Sequence, residues 1–145
     1  MNFNSIPFKE LSAQQLFNIY KLRSEVFIVE QHCAYQDVDD FDLKANHILL
    51  SNNNELIAYA RILPPNTNYP QPSIGRVCVS INHRSHKYGK QLMNFCIKET
   101  KGLYPKQQIV ISAQTYLLKF YTELGFTAIG EGYLEDDIPH IKMYL

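Results

Sequence analysis

The residues best suited to chemistry lie between two apolar segments near the middle of the chain. Val77-Cys78-Val79 reads as the end of a strand, and Asn82-His83-Arg84-Ser85-His86-Lys87-Tyr88-Gly89-Lys90 leads straight into a helical pattern. The first turn of a helix leaves backbone N–H groups without partners and carries the positive end of the helix dipole, which together favour a phosphate. Gly89 permits close backbone approach, and Arg84, Lys87 and Lys90 add positive charge around it. Many strand-to-helix turns carry cations on plain solvated surface, so this pattern alone leaves anion binding and surface side by side.

Acidic stretches flank that basic one. Glu30, Asp37, Asp39, Asp40 and Asp42 come with no Lys or Arg among them, and Glu131, Glu135, Asp136 and Asp137 form a second group. Such a layout suits a protein that holds an anionic ligand beside a cationic one, or else it is ordinary surface. Glu30, Asp39, His47 and His140 have the chemistry to take a proton from an ammonium, directly or through water. Each also has a structural reading: His47 opens a strand and could cap it, and His140 follows Pro139 and could order its loop. Arg23 falls on an apolar helical face, where a guanidinium either meets a buried carboxylate or reaches into a site. Tyr121 shares a helical face with Leu117, Phe120 and Leu124, the spacing of a core tyrosine. His32, Cys33 and His47 fit no usual zinc spacing, so no metal is expected.

The elements that must position these groups follow from periodicity. Phe3 to Lys9 reads as a strand. Ser12 is a candidate N-cap for a helix in which Leu16, Ile19, Tyr20, Val26 and Phe27 recur at helical spacing. His47–Ser51 and Glu55–Leu63 read as a hairpin turned by Asn52, Asn53 and Asn54. Pro64 to Ser73 holds four of the seven prolines and is a surface loop. Ile74–Ser80 is a strand, 89–101 an amphipathic helix, Gln108–Ala113 a buried strand, Tyr116–Leu124 a helix stopped by Gly125, and Ile141–Leu145 a closing strand. The order predicts one α/β domain over residues 1–145 with a largely antiparallel central sheet and a βαβ unit at its middle.

Composition agrees with that size. The 145 residues are 46% hydrophobic and 12% aromatic, enough for a core and unlike a disordered chain. Fourteen Lys and Arg balance fourteen Asp and Glu, so no net field recruits nucleic acid or a membrane surface. No apolar run reaches the length of a membrane span, and Met1–Pro7 lacks the segments of a signal peptide. Three cysteines, Cys33, Cys78 and Cys96, suggest reduced thiols in a cytoplasm.

The turn also carries a family resemblance. It is similar to the signature R/Q-x-x-G-x-G/A of the GNAT superfamily of N-acetyltransferases, with Arg84 at the first position and Gly89 at the last. Lys87 stands where the pattern has its middle glycine, so the loop forgoes glycine there, and Ile81 replaces a common proline. Gln114, Leu117, Phe120, Tyr121, Gly125 and Phe126 follow the family's N-x-x-A-x-x-L-Y-x-x-x-G-F, with identity at the last three. Arg23–Gln31, Tyr35-Gln36-Asp37, His47, Ile74–Val77 and Glu135–Ile141 narrow the resemblance to the ElaA-like branch.

That resemblance implies a mixed, mostly antiparallel sheet flanked by helices, with a splayed parallel strand pair at a cofactor cleft. It implies transfer of an acetyl group from acetyl-CoA to a primary amine by direct attack in a ternary complex. Residues 84–90 (Arg84, Ser85, His86, Lys87, Tyr88, Gly89, Lys90) would bind the pyrophosphate. A bulge within Arg76–Val79 would free backbone groups of Val77 and Val79 for the pantetheine arm, with Cys78 between them and Gln114 and Phe120 along the same cleft. Tyr121 would protonate the departing thiolate, Glu30 or His140 would relay the acceptor's proton, and Arg23, Asp39 and His47 would meet substrate. Loops near 30–45, 64–73 and 130–140 would choose the acceptor. A homodimer is the default for an enzyme of this size. The alternative is a catalytically silent CoA-binding sensor or interaction module.

Overall fold

The computed structural model describes residues 1–145. The chain opens with β1 (Asn2–Pro7), which ends at Pro7 rather than Lys9 because Phe8–Glu10 form a tight helical turn. Helix α1 (Ala13–Arg23) begins with a reciprocal cap: Gln15 N–H donates to Ser12 Oγ at 3.1 Å, and Ser12 N–H donates to Gln15 Oε1 at 2.9 Å. The helical path continues past Arg23 as a wider segment, Ser24–Glu30, and just beyond it Cys33 N–H reaches back five residues to Ile28 O. This widening brings Phe27, Glu30 and Gln31 toward the sheet's open middle.

Strands β2 (Asn46–Asn52) and β3 (Glu55–Leu63) form the expected hairpin. Asn53 and Asn54 both take positive φ, 49° and 66°, the conformation its two-residue turn demands. Next come β4 (Ser73–Val79), a tight turn over Ile81–His86, α2 (Tyr88–Leu103), β5 (Val110–Gln114) and a short α3 (Leu118–Glu123). Gly125, at φ 102°, stops α3, and Phe126 N–H returns to Tyr121 O at 3.1 Å.

The last quarter is richer than one closing strand. It holds β6 (Thr127–Ala128), β7 (Tyr133–Glu135) and β8 (Ile138–Tyr144). β7 and β8 are turned by Asp136 and Asp137, both at positive φ. Two- and three-residue strands show no alternation, and Pro139 inside β8 masks its first half.

The sheet order is β1-β2-β3-β4-β5-β8-β6, with β7 on β8. All neighbours are antiparallel except β4 and β5, which run parallel and pair only at Ser73 and Val110. Apolar residues fill both faces. Ile48, Leu50, Ile62 and Ile111 pack with Leu92, Met93 and Cys96 of α2, while Leu49, Tyr59 and Cys78 pack with Ile19 and Leu22 of α1. Burial on both sides explains why β2 and β3 read as nearly continuous apolar runs. The cysteines are all free thiols, and no helix is long and apolar enough to cross a membrane.

Candidate active site

A bulge in β4 creates the site. Tyr59 faces Cys78 and Arg61 faces Gly75, so the single residue Ala60 opposes both Arg76 and Val77. Arg76 takes φ 52°, and the extra residue bends β4 away from β5. Beyond Ser73 and Val110 the two strands separate, and two clefts meet in the gap.

The first cleft has a volume of about 760 Å³ and runs from the gap to the start of α2. Val77, Cys78 and Val79 line one wall, Gln114, Phe120 and Tyr121 the other, and Arg84, Lys87, Gly89 and Lys90 its end. Ser85, His86 and Tyr88 lie outside it; the His86 and Tyr88 rings stack at 5.3 Å on one another. The first N–H to return within α2 is that of Gln91, to Lys87 O at 3.2 Å, which leaves those of Tyr88, Gly89 and Lys90 without intrahelical partners. Lys87 adopts the left-handed conformation, φ 58° and ψ 24°, that a glycine would take more easily. The loop therefore has a glycine-like turn despite the substitution. A Cβ added to Gly89 would lie 3.7 Å from both Phe120 Cζ and Val79 Cγ2, so a side chain there would occupy the cleft and not the core.

Arg84 is anchored at this end. Its Nε donates to Val79 O at 3.2 Å, and its guanidinium grips Glu30 in a two-pronged ion pair, with Nη2 2.6 Å from Oε2. Arg84 holds the Glu30 carboxyl below the usual carboxylate range. Glu30 is thus committed to a cation and poorly suited to accept a proton.

The second cleft, about 140 Å³, lies on the other side of the gap. Its walls come from Gln31 and Tyr35, from Asn68 and Tyr69, and from Glu135, Asp136 and His140, one group from each of the three loop regions. Phe27, Gln31, Val77, Gln114, Leu117 and Tyr121 line both clefts and mark their junction. Tyr121 is 6% exposed and packs edge-on against Phe120 and Phe126. Its hydroxyl has no protein partner, and burial keeps its pKa above the ordinary phenol value, so it is a proton donor at neutral pH.

His140 is 7% exposed in the second cleft. Its Nδ1 lies 2.6 Å from Ile138 O, and because a carbonyl only accepts, the proton sits on Nδ1. Its other nitrogen, Nε2, faces Glu135 Oε2 at 3.3 Å. Ser112 Oγ and Tyr133 Oη are in hydrogen-bond contact beside them, and Ser112 reaches Glu135 at 3.5 Å. Nothing in the sequence marks Glu135 as a proton-transfer group. Its only signal was membership of the acidic run, because its alignment with His140 depends on the β7–β8 register.

Arg23, Asp39 and His47, expected to meet substrate, instead meet a buried network and line neither cleft. Arg23 is fully buried and pairs with Asp37 at 2.8 Å and Asp42 at 2.7 Å. Arg61 pairs with Asp39 and, at 2.9 Å, with Asp42; Arg76 pairs with Asp37 at 2.8 Å and Asp39 at 3.4 Å. The six groups close into an alternating ring. His47 has both nitrogens engaged: Nε2–H donates to Asp42 O at 2.9 Å, and Nδ1 accepts from the Tyr59 hydroxyl at 2.7 Å. Burial lowers its pKa and keeps it neutral. No group of three or more His, Cys, Asp or Glu is arranged to hold a metal.

A sheet opened in this way beside one parallel pair is the acyl-CoA N-acyltransferase fold. Residues 8–145 match the acetyltransferase (GNAT) domain, and the chain belongs to that family. Within it the chain is similar to protein ElaA of Escherichia coli K12, at 41% identity over 145 residues, covering 99% of this chain and 95% of that protein. The crystal structure of Escherichia coli ElaA superposes with a TM-score of 0.92, covering 99% and 97% of the two chains. An acyl-CoA N-acyltransferase from Pseudomonas aeruginosa, 38% identical, superposes at 0.93 over 99% and 97%. A UPF0039 protein of Synechocystis is 40% identical over 144 residues, 99% of this chain and 94% of its own.

Proposed function

We propose that this chain is an acetyl-CoA-dependent N-acetyltransferase acting on a primary amine. The observation that carries the reading is the Tyr121 hydroxyl, which has no protein partner and stands on a largely buried side chain at the junction of the two clefts. The first cleft suits CoA on its own features: free N–H groups at the α2 start, the unpaired cations Lys87 and Lys90, and a floor that a side chain on Gly89 would fill. When bound, acetyl-CoA supplies the activated acetyl carbonyl.

The residues divide the work. The backbone of Val77 to Val79, released from the β5 ladder by the bulge, would hold the amides of the pantetheine arm, with one N–H polarising the thioester carbonyl. His140 takes the proton of the acceptor's ammonium at Nε2, steadied by Glu135, and passes it to solvent. The freed amine nitrogen bonds to the acetyl carbon as the carbon–sulfur bond breaks, and Tyr121 gives its proton to the departing thiolate. The bonded nitrogen sheds its second proton, which returns to Tyr121 through water, so that one amide, one free thiol and one released proton result. Acid–base groups of this kind each contribute about 10²–10⁴-fold.

Purified protein mixed with acetyl-CoA and a panel of primary amines is expected to release free thiol only when an amine is present. Tight CoA binding with no release on any amine would point instead to a silent CoA-binding module.

A further inference from the structure

The buried ring is used up on its acidic side and not on its basic side. Every carboxylate oxygen of Asp37, Asp39 and Asp42 already meets a guanidinium, the Tyr35 hydroxyl or the Asp39 N–H. Arg23 spends all three of its nitrogens there. Donors remain on Arg61 and Arg76, the two ring arginines that line the second cleft. Arg61 Nε, on a side chain only 4% exposed, has no hydrogen-bond partner. Arg76 turns Nε to Asp37 and Nη2 to Asp37 and Asp39, while its Nη1 meets no protein acceptor. With 23% of its side chain exposed, against 0% and 4% for the others, Arg76 is the ring arginine that a ligand in the cleft can reach. Its guanidinium is also held still, tied through two nitrogens and lying over the Tyr35 ring at 5.7 Å, so little freedom is lost when Nη1 binds. A planar monoanion such as a carboxylate suits a guanidinium nitrogen of this kind. Glu135 and Asp136 line the same cleft and disfavour a ligand that brings negative charge alone, so the anion needs an ammonium of its own. A cavity of about 140 Å³ is on the scale that takes a ligand of benzene size, so a short chain fits and a bulky ring system does not.

Resting on the acetyltransferase reading, we propose that the acceptor is a small amino acid, its carboxylate received by Arg76 Nη1 and its amine reacting at Tyr121, where the two clefts meet. The transfer is the one described above; the carboxylate stays ionised throughout and only binds. Arg76 precedes Val77 in the bulge of β4, so the distortion that opens the sheet also sets the anion-binding group one residue from the main chain that would hold the thioester.

The test follows free thiol from acetyl-CoA with glycine, β-alanine and γ-aminobutyrate, each against its own carboxamide, which keeps the length and removes the charge. At the best-fitting length, kcat/KM for the acid is expected to exceed that of the amide by about tenfold, the scale of one hydrogen bond to a charged group, mainly through a lower KM. Arg76→Lys keeps a positive charge on Asp37 and Asp39 but spends its one ammonium on them, and brings the ratio of acid to amide to within about twofold of one. The ratio is read within each protein, so a general loss of activity from a disturbed bulge cancels. Should the variant not fold, the wild-type comparison decides alone. Amides as good as acids at all three lengths, or an unchanged ratio in Arg76→Lys, overturn this proposal and leave amine acetylation standing. Thiol release with none of these acceptors, nor with other primary amines, removes both together.

Discussion

Arg76 is joined to Asp37 twice: Nε lies 2.8 Å from Oδ1, and Nη2 donates to the Asp37 main-chain oxygen at 3.0 Å. Arg76 occupies the bulge at φ 52°, a conformation that costs a non-glycine residue about 1–2 kcal/mol. Asp37 also holds Arg23 and accepts from the Tyr35 hydroxyl at 3.0 Å. The buried ring thus clamps the strained residue that opens the sheet.

Asp37→Asn leaves three guanidiniums, two of them buried, with two carboxylates. Removing one partner of a buried pair costs about 3–5 kcal/mol, and urea unfolding is expected to show a loss of that order. A change below about 1 kcal/mol would mean that the ring does not support the bulge.

Tyr121→Phe removes only the hydroxyl, which has no protein partner, so the fold is kept. Turnover is expected to fall by about 10²-fold or more while CoA affinity changes by less than about threefold. Near-normal turnover would end the assignment of Tyr121 as the acid.

Gly89→Glu places a carboxylate between Phe120 and Val79 in the larger cleft. Calorimetry is expected to show CoA binding at least about tenfold weaker, with little change in Tm because the new Cβ meets only ordinary contacts. Unchanged affinity would contradict phosphate binding at the start of α2.

His47 sets a pH dependence of stability. Its folded pKa is depressed by burial, so the unfolded chain binds more protons between that value and about 6.5. The contribution is complete above about 6.5 and is lost as pH falls through the folded value. Asp42, held low mainly by Arg23 and Arg61 against the opposing effect of burial, adds a second loss below about 3.8. Tm measured against pH is expected to decline in two stages, and His47→Gln should flatten the first; an unaltered first stage would assign it to another group.

Features set by neighbours in sequence could be read in advance. The Ser12 cap, the Asn53-Asn54 turn, the start of α2 and the Gly125 stop each depend on a few adjacent residues, and all appear where their chemistry placed them. Arg23 on an apolar face announced a buried carboxylate, but its partners lie 14 and 19 residues away across an irregular loop, which no spacing reveals. The approach of Glu135 to His140 was hidden for a related reason. It arises from a diagonal across β7 and β8, where Tyr133 faces His140, and Pro139 conceals that β8 begins so early. Glu30 had the right chemistry for a base, and only the fold shows Arg84 already holding it.

The lone rung between β4 and β5 makes the sheet two panels hinged at Ser73 and Val110. The main-chain groups facing each other above that hinge have no strand to complete them. An extended, amide-bearing molecule lying in the gap would act as the missing strand and stitch the panels together. Loading the cleft should therefore stiffen the whole sheet and slow amide exchange in both panels, well beyond the residues in contact.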